Sequence, residues 1–235
     1  MKIKLRPAIA MIELIFAIVI MGIVLMSAPQ LISTAANSGY VTIQQESINE
    51  ASSQVNMLLG YYWDESLTDE TFAPSVLNVS AGNADLDQNT TTGLRKGTPS
   101  FSQRSFIRYD NSEASASTSL GSDSNDSDDL DDFVGDTNLA AVSVSSTDYI
   151  ETDTIKINTA VTYMPDSPTG GSYLPNGSNF ITFNFSSTDA GSSTNIKRIT
   201  VTLSNPTGPS ELNKSIVLNA FSCNIGSTEL EEKSF

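Results

Sequence analysis

A run of apolar residues near the N-terminus constrains this chain more than any other feature. From Ala8 to Met26 the sequence is apolar apart from one carboxylate, Glu13. The run is long enough to cross a bilayer as a helix. A charged side chain at the middle of such a helix costs about 2.5 to 3.5 kcal/mol on insertion scales. A carboxylate there therefore indicates a functional site with a positively charged partner.

The residues before Glu13 resemble the N-terminal signal of type IV pilins and type II secretion pseudopilins. The leader has three basic residues and no acidic one: Lys2, Lys4 and Arg6. Positive charge before an apolar run keeps the N-terminus on the cytoplasmic side. The resemblance implies prepilin cleavage between Ala8 and Ile9, N-methylation of Ile9, and Glu13 as the acid at the fifth mature position. Ala8 stands where the family usually has Gly, and Ile9 where Phe or Met is commoner.

Glu13 has a physical role beside that resemblance. Cleavage after Ala8 creates an α-amine at Ile9, about one helical turn from Glu13. The two can pair within one helix, or the amine of an incoming subunit can neutralise Glu13 of its neighbour. Unpaired burial of either charge costs several kcal/mol, so the register between helices would be strongly selected. The alternative is a secretory signal peptide cut near residues 33–35, whose apolar core is about 7–15 residues long and lacks an acid.

Composition excludes several classes of function. The formal net charge is −15, and removal of the three basic leader residues makes it −18. So acidic a chain is a poor nucleic-acid binder, because phosphate contacts need Lys and Arg. There is no histidine, which removes Ser-His-Asp and Cys-His catalysis. The single cysteine, Cys223, excludes an intramolecular disulfide, and its apolar surroundings predict a core position. We therefore expect no enzyme.

Helical spacing continues beyond the apolar run. Pro29 falls where many pilins carry a helix-kinking proline, and a kink is expected there. From 30 to 65 an amphipathic helix is predicted to brace a sheet. Taken from Ile9 to about Tyr62, the helix would be roughly 80 Å long at 1.5 Å per residue. The predicted apolar stripe, with a slip after Ile43, is Ala36, Tyr40, Ile43, Ile48, Ala51, Val55, Leu58 and Tyr62.

The segment 66–136 is loop-rich and acidic. The aromatic residues 61–63 are expected to close a helix–sheet core, and 105–109 to form a short strand. Two interpretations stay open for its basic patch: contact with an acidic neighbouring subunit, or a solvated face. The patch consists of Arg95, Lys96, Arg104 and Arg108.

A dense run of oxygen-bearing side chains follows. Its candidate ligands are Asp123, Asn125, Asp126, Asp128, Asp129, Asp131 and Asp132. Ca²⁺ takes about 6–8 oxygens, so this run is a candidate Ca²⁺ site, although the EF-hand glycine is absent. A solvated acidic loop is the alternative. The stretch from Asp128 to Phe133 also resembles an Asp-Asp-hydrophobe-Asp-Asp-aromatic element of minor pilins of the mannose-sensitive haemagglutinin type.

The last hundred residues, from 137 to 235, predict an antiparallel sheet. Apolar and polar residues alternate, and turn sequences separate the runs. The expected strands are Leu139–Ser145, Thr154–Met164, Asn179–Phe185, Ile196–Leu203 and Ser215–Cys223. The fold class is therefore α+β, with a long N-terminal helix packed on an antiparallel meander.

The leading hypothesis is a structural subunit, a minor pilin or pseudopilin. The resemblance implies as partners a prepilin peptidase, other pilins, and an inner-membrane assembly platform with its ATPase. It also implies a single pass through a bacterial inner membrane with the C-terminal domain in the periplasm, and then a place in a pilus or pseudopilus. The alternative hypothesis is a membrane-anchored or secreted binding or adhesion protein of the cell envelope, which would leave Glu13 unexplained.

Overall fold

The structure is a computed structural model. It describes residues 7–68, 76–86, 91–102, 104–108, 110–122, 127–139, 155–173, 180–205 and 213–226, with the side chains of 7–10 and 137–139 excepted.

One long helix, α1, spans Pro7–Leu58. At 1.5 Å per residue its length is about 80 Å. The helix ends four residues earlier than Tyr62, the predicted last residue. The amide of Gly60 donates to the carbonyl of Met57 at 2.9 Å, and that of Tyr61 donates to Leu58 at 3.2 Å. These shorter-range hydrogen bonds tighten the end of the helix and satisfy its last carbonyl groups.

Four strands form an antiparallel sheet in the order β1-β2-β3-β4. They are β1 Gly135–Leu139, β2 Ile155–Met164, β3 Ile196–Ser204 and β4 Ile216–Cys223. Each strand pairs with the next in sequence, so the sheet is a meander. The α+β fold class and the meander are confirmed.

The C-terminal half of α1 packs on β3 and β4. The core between helix and sheet joins Ala51 and Leu58 of the helix to Ile157, Ile199 and Val201 of the two inner strands. Burial alternates along β2 and β3, as the β-branched alternation of the sequence predicts. One face of the sheet is therefore covered by the helix, and the outward side chains of β4, such as Val217, lie on the other face.

The apolar face of α1 differs from the predicted stripe. Ser47 is buried, whereas Ile48 is 37% exposed, so the helical period continues without a slip. The Ser47 hydroxyl donates to the carbonyl of Ile43 at 2.6 Å, which satisfies it inside the helix. Ala36 is exposed and lies before the packed part of the helix.

Two predicted strands, Asn179–Phe185 and 105–109, are not found as such. Residues 180–185 make only an isolated bridge, between Gly170 and Thr182. Of the predicted strand Leu139–Ser145, Leu139 is the last residue of β1, and residues 140–145 lie outside the described residues. Ser105 and Ile107 likewise make isolated bridges instead of a strand.

The described parts of the connecting region build a second core beside the first. Trp63, Leu67, Leu77 and Ala114 pack there against Tyr163 of β2. Trp63 is buried, which confirms that it closes the core at the end of α1, whereas Tyr62 remains 39% exposed. This second core joins the end of α1, the loops and the sheet.

Candidate functional site

The N-terminal part of α1 is an exposed apolar surface that carries one charge. Every residue from Met11 to Gly39 is exposed. Glu13 is the sole acidic or basic residue between Pro7 and Gln45. Large apolar side chains surround it, including Ile12 at 56% and Phe16 at 64% exposure. An exposed apolar surface this long indicates contact with a membrane or with other protein chains.

The predicted processing residues lie at the beginning of the same helix. Ala8 and Ile9 belong to its first turn, and Glu13 follows Ile9 by four residues. In an α-helix that spacing places Glu13 about one turn further along. Cleavage and methylation at Ala8 and Ile9 remain predictions.

The helix continues through Pro29. Pro29 has no N–H to donate to the carbonyl four residues before it. Nearby hydroxyls bond to the helix backbone instead: Ser27 donates to Val24 at 3.0 Å, and Thr34 donates to Gln30 at 2.8 Å. A kink at Pro29 remains a prediction. Among the described residues, α1 is the one helix long and apolar enough to cross a membrane.

The described part of the acidic run, residues 127–132, forms a tight turn in which two carboxylates accept backbone hydrogen bonds. Asp129 Oδ1 accepts from the amides of Asp131 at 2.8 Å and Asp132 at 3.2 Å. Asp132 Oδ2 accepts from the amides of Asp128 at 3.1 Å and Asp129 at 3.2 Å. Leu130, in the middle, is fully buried, and its amide donates to the carbonyl of Tyr62 at 3.0 Å. This segment therefore fixes the chain that leaves α1.

Asp131 and Asp64 converge on a lysine that is completely buried. Lys197 Nζ lies 2.5 Å from Asp131 Oδ1 and 3.2 Å from Asp64 Oδ2. It also donates to the carbonyl of Trp63 at 2.7 Å, and lies 4.6 Å from the centroid of the Trp63 ring. Buried charges require such partners, since an unpaired charge in the interior costs several kcal/mol.

This cluster shifts the pKa of two neighbouring groups. Burial, helped by the charge of Asp131 and opposed by that of Lys197, raises the pKa of Asp129 to about 6. Burial and the nearby carboxylate of Asp64 also raise the pKa of Tyr163 well above its usual range. The Tyr163 hydroxyl donates to the carbonyl of Ser117 at 2.5 Å. It thus stays protonated.

The candidate Ca²⁺ ligands are only partly described. Asp123, Asn125 and Asp126 lie outside the described residues. Among the residues that are described, no group of three or more acidic, histidine or cysteine side chains is arranged to hold a metal ion. A Ca²⁺ site that uses the first part of the run remains a prediction.

Two of the four residues of the basic patch are half-buried, and the other two, Lys96 and Arg104, are exposed. Arg95 donates to the carbonyl of Asn224 at 2.6 Å and to Asn195 Oδ1 at 2.5 Å. Burial lowers the pKa of Arg95, and the charge of Asp166 opposes this. Arg108 donates to the carbonyl of Ser66 at 3.0 Å. These two arginines therefore tie loops together, whereas Arg104 is exposed.

Comparison with known proteins gives no assignment. No family model, curated protein or solved structure matches the chain. Its function must be argued from its own residues.

Sequence reasoning missed Lys197 and Asp64, although one signal was present. Lys197 occupies an inward position of β3, in phase with Ile199, Val201 and Leu203. A lysine in phase with core residues of a strand predicts a buried cation. Cys223, predicted in the core, is exposed because it falls on the outward phase of β4.

Proposed function

We propose that this chain is a structural subunit of a type IV pilus or type II secretion pseudopilus, anchored and assembled through α1. One observation carries the proposal: Glu13 is the only charge on an apolar helical surface that is exposed from Met11 to Gly39. The C-terminal half of the same helix packs on β3 and β4 of the globular part. One end of the helix is thus fixed to a domain, and the other is available to neighbours.

The exposed half of α1 needs two successive environments. In a bilayer its apolar side chains contact lipid, with the basic leader on the cytoplasmic side of a bacterial inner membrane and the domain in the periplasm. In a filament the same side chains contact the helices of other subunits. Head-to-tail contacts that do not close into a ring produce such fibres.

Glu13 sets the register of these contacts in our proposal. After cleavage the Ile9 amine of one subunit neutralises Glu13 of the next, since neither charge is stable alone in an apolar core. The pathway then requires a prepilin peptidase, other pilins or pseudopilins, and an assembly platform with its ATPase. The acidic domain makes nucleic acid an unsuitable partner.

The test replaces Glu13 with glutamine, which keeps the shape and removes the charge. We expect Glu13→Gln to enter the membrane at normal levels. The amount of the variant in sheared filament fractions should fall at least about tenfold, which corresponds to 1.4 kcal/mol. Glu46→Gln is the matched control, because Glu46 is an exposed acid on the same helix, in the part that packs on the domain. Normal assembly of Glu13→Gln would overturn the proposal.

A second measurement tests the processing step separately. Mass spectrometry of the N-terminal peptide from native membranes should find a chain that begins at Ile9 with a methylated amine. A chain that begins near residue 35 would instead indicate a secreted protein.

An anchored binding or adhesion protein is the second candidate. The observation that favours it is a pair of stacked aromatic rings on the face of the sheet opposite α1. Phe185 stacks on Phe221 with ring centroids 4.2 Å apart, and Phe180 is 84% exposed. Indifference of both assembly and localisation to Glu13→Gln would favour this candidate.

A further inference from the structure

Lys197 and Asp131 lie in an arrangement suited to more than an ion pair. The Lys197 side chain is 0% exposed and that of Asp131 is 5% exposed. The Nζ atom is 2.5 Å from Asp131 Oδ1, at the short end of the range for a charge-assisted hydrogen bond. The rings of Trp63 and Tyr163 lie 4.6 Å and 5.6 Å from it. The amine and the carboxyl group are therefore held together in a buried site.

We propose that Lys197 and Asp131 join covalently after folding, through an amide bond between Lys197 Nζ and Asp131 Cγ. Condensation replaces two buried charges with one neutral amide, and so removes the unfavourable desolvation of the pair. Reactants held in contact also avoid the entropy loss of a bimolecular reaction, which corresponds to effective concentrations of about 10⁵ M or more.

A backbone amide is positioned to stabilise the charge that develops on Asp131. Gly121 N–H donates to Asp131 Oδ2 at 2.9 Å, on the oxygen that does not contact Lys197. When Nζ adds to Cγ, negative charge grows on Oδ2, where a fixed donor lowers the barrier. Gly121 has a φ of +122°, a conformation that residues with a Cβ rarely adopt.

Asp64 is placed to carry protons between Lys197 Nζ and the leaving oxygen of Asp131. Its Oδ2 is 3.2 Å from Lys197 Nζ, and the amide of Ser117 holds the same oxygen at 3.0 Å. Asp64 accepts a proton from the ammonium and passes it to Asp131 Oδ1, and the neutral amine then attacks Cγ of the neutral carboxyl group. The Nζ–Cγ bond forms, the Cγ–Oδ1 bond breaks, and Oδ1 leaves as water. Both protons of that water come from the ammonium, with Asp64 as the carrier, so no other reactant is needed.

The bond would connect β3 to the turn that contains Asp131. The neighbouring Asp129 is a positioning residue, since its Oδ1 accepts the amide of Asp131 at 2.8 Å. A covalent link at this point supplies the cross-link that a chain with one cysteine cannot make as an intramolecular disulfide.

Peptide mass spectrometry of the full chain, purified in detergent from its native membrane, tests the bond. Digestion with trypsin and a glutamyl endopeptidase cuts after Glu113, Glu151, Lys156 and Arg198. We expect peptides 114–151 and 157–198 as one species, lighter than their sum by one water, with fragment ions that locate the link at Asp131 and Lys197. The cuts after Glu151 and Lys156 release the peptide 152–156 from between them. An incompletely digested chain would still contain this peptide and would therefore have a different mass.

Two separate peptides of full mass, with trypsin cleavage after Lys197, would overturn the proposal. A loss of water located elsewhere, or a link from Lys197 to Asp64, would also overturn it. Because the native chain itself is measured, the result does not depend on whether a variant folds.

Variants then test the role of each carboxylate. Asp131→Ala should abolish the linked species. Asp64→Asn should leave most chains unlinked at early times after synthesis, since it removes the proton acceptor. Asp132→Asn is the matched control, because the Asp132 carboxylate accepts only from the amides of Asp128 and Asp129 among the hydrogen bonds described, and it should keep the link.

Discussion

The side-chain amide of Asn224 hydrogen-bonds to both the amide and the carbonyl of Leu77, as a neighbouring strand would. Asn224 Oδ1 accepts from the Leu77 amide at 2.9 Å, and Asn224 Nδ2 donates to the Leu77 carbonyl at 2.7 Å. Both residues are fully buried. One side chain just after β4 thus fixes a loop that is distant in sequence.

Asn224→Ala should lower the free energy of unfolding by about 2–3 kcal/mol, because three buried hydrogen bonds of the side chain are lost together, two to Leu77 and one to Asn195 Oδ1. Urea denaturation in detergent, followed by the fluorescence of Trp63, measures this; Trp63 is the only tryptophan and is buried. Asn219→Ala is the control, since Asn219 is exposed and should change stability by less than about 0.5 kcal/mol. Equal effects of the two variants would contradict this account.

Lys197→Met should be among the most destabilising single substitutions in the domain. In a chain that has not yet formed the proposed amide, it leaves Asp64 and Asp131 buried without their cation, a change that costs about 3–5 kcal/mol. Lys156→Met, on the exposed face of β2, should cost less than about 0.5 kcal/mol. A small effect of Lys197→Met in the same denaturation experiment would mean that the cluster is not closed to water.

Asp129 should make stability depend on pH. Its pKa is about 6 in the folded chain against 3.8 for the free group, so the folded state binds the proton more tightly. Its contribution is complete below pH 3.8 and is lost as pH rises through about 6. Asp131, Asp132 and Lys197 are the charged groups that act on it, with burial the largest cause.

Asp129→Asn removes this titration and keeps an oxygen that can accept the two amides. The difference in unfolding midpoint between variant and parent should therefore grow in favour of the variant between pH 4 and pH 7, limits that bracket the two pKa values. A difference that is constant across that interval would show that Asp129 titrates normally.

The face of α1 that packs on the sheet can be tested with two neighbouring positions. Ala51 is 0% exposed, so Ala51→Leu should overpack the core and cost about 1–3 kcal/mol. Ile48 is 37% exposed, so Ile48→Ala should cost less than about 1 kcal/mol. Thermal or urea unfolding measures the stability lost by each variant. A larger loss for Ile48→Ala than for Ala51→Leu would support the apolar stripe that the sequence predicts.

Much of the fold could be predicted because periodicity reports burial directly. The alternation along Ile155–Met164 and Ile196–Ser204 gives two strands with one buried face each. Periodicity does not report hydrogen-bond partners, however. Phe185, the last residue of the predicted strand Asn179–Phe185, stacks its ring on Phe221 of β4, and that strand is not formed.

The helix face and the buried cluster were harder to predict, for a common reason. A polar residue can be buried in the core when a group next to it in the fold forms hydrogen bonds with it. The hydroxyl of Ser47 bonds to its own helix, and the amine of Lys197 is satisfied by residues 134 and 66 positions away in sequence. Neither partner is visible from hydrophobicity alone.

The hydrogen bonds of Lys197 to the carbonyl of Trp63 and to Asp64 have a mechanical consequence. These two residues follow the end of α1 closely, and Lys197 belongs to β3, an inner strand with a neighbour on each side. Tension that travels along α1 therefore enters the sheet at an interior strand. Pulling that strand out requires two ladders to break at once, whereas an edge strand would peel from one.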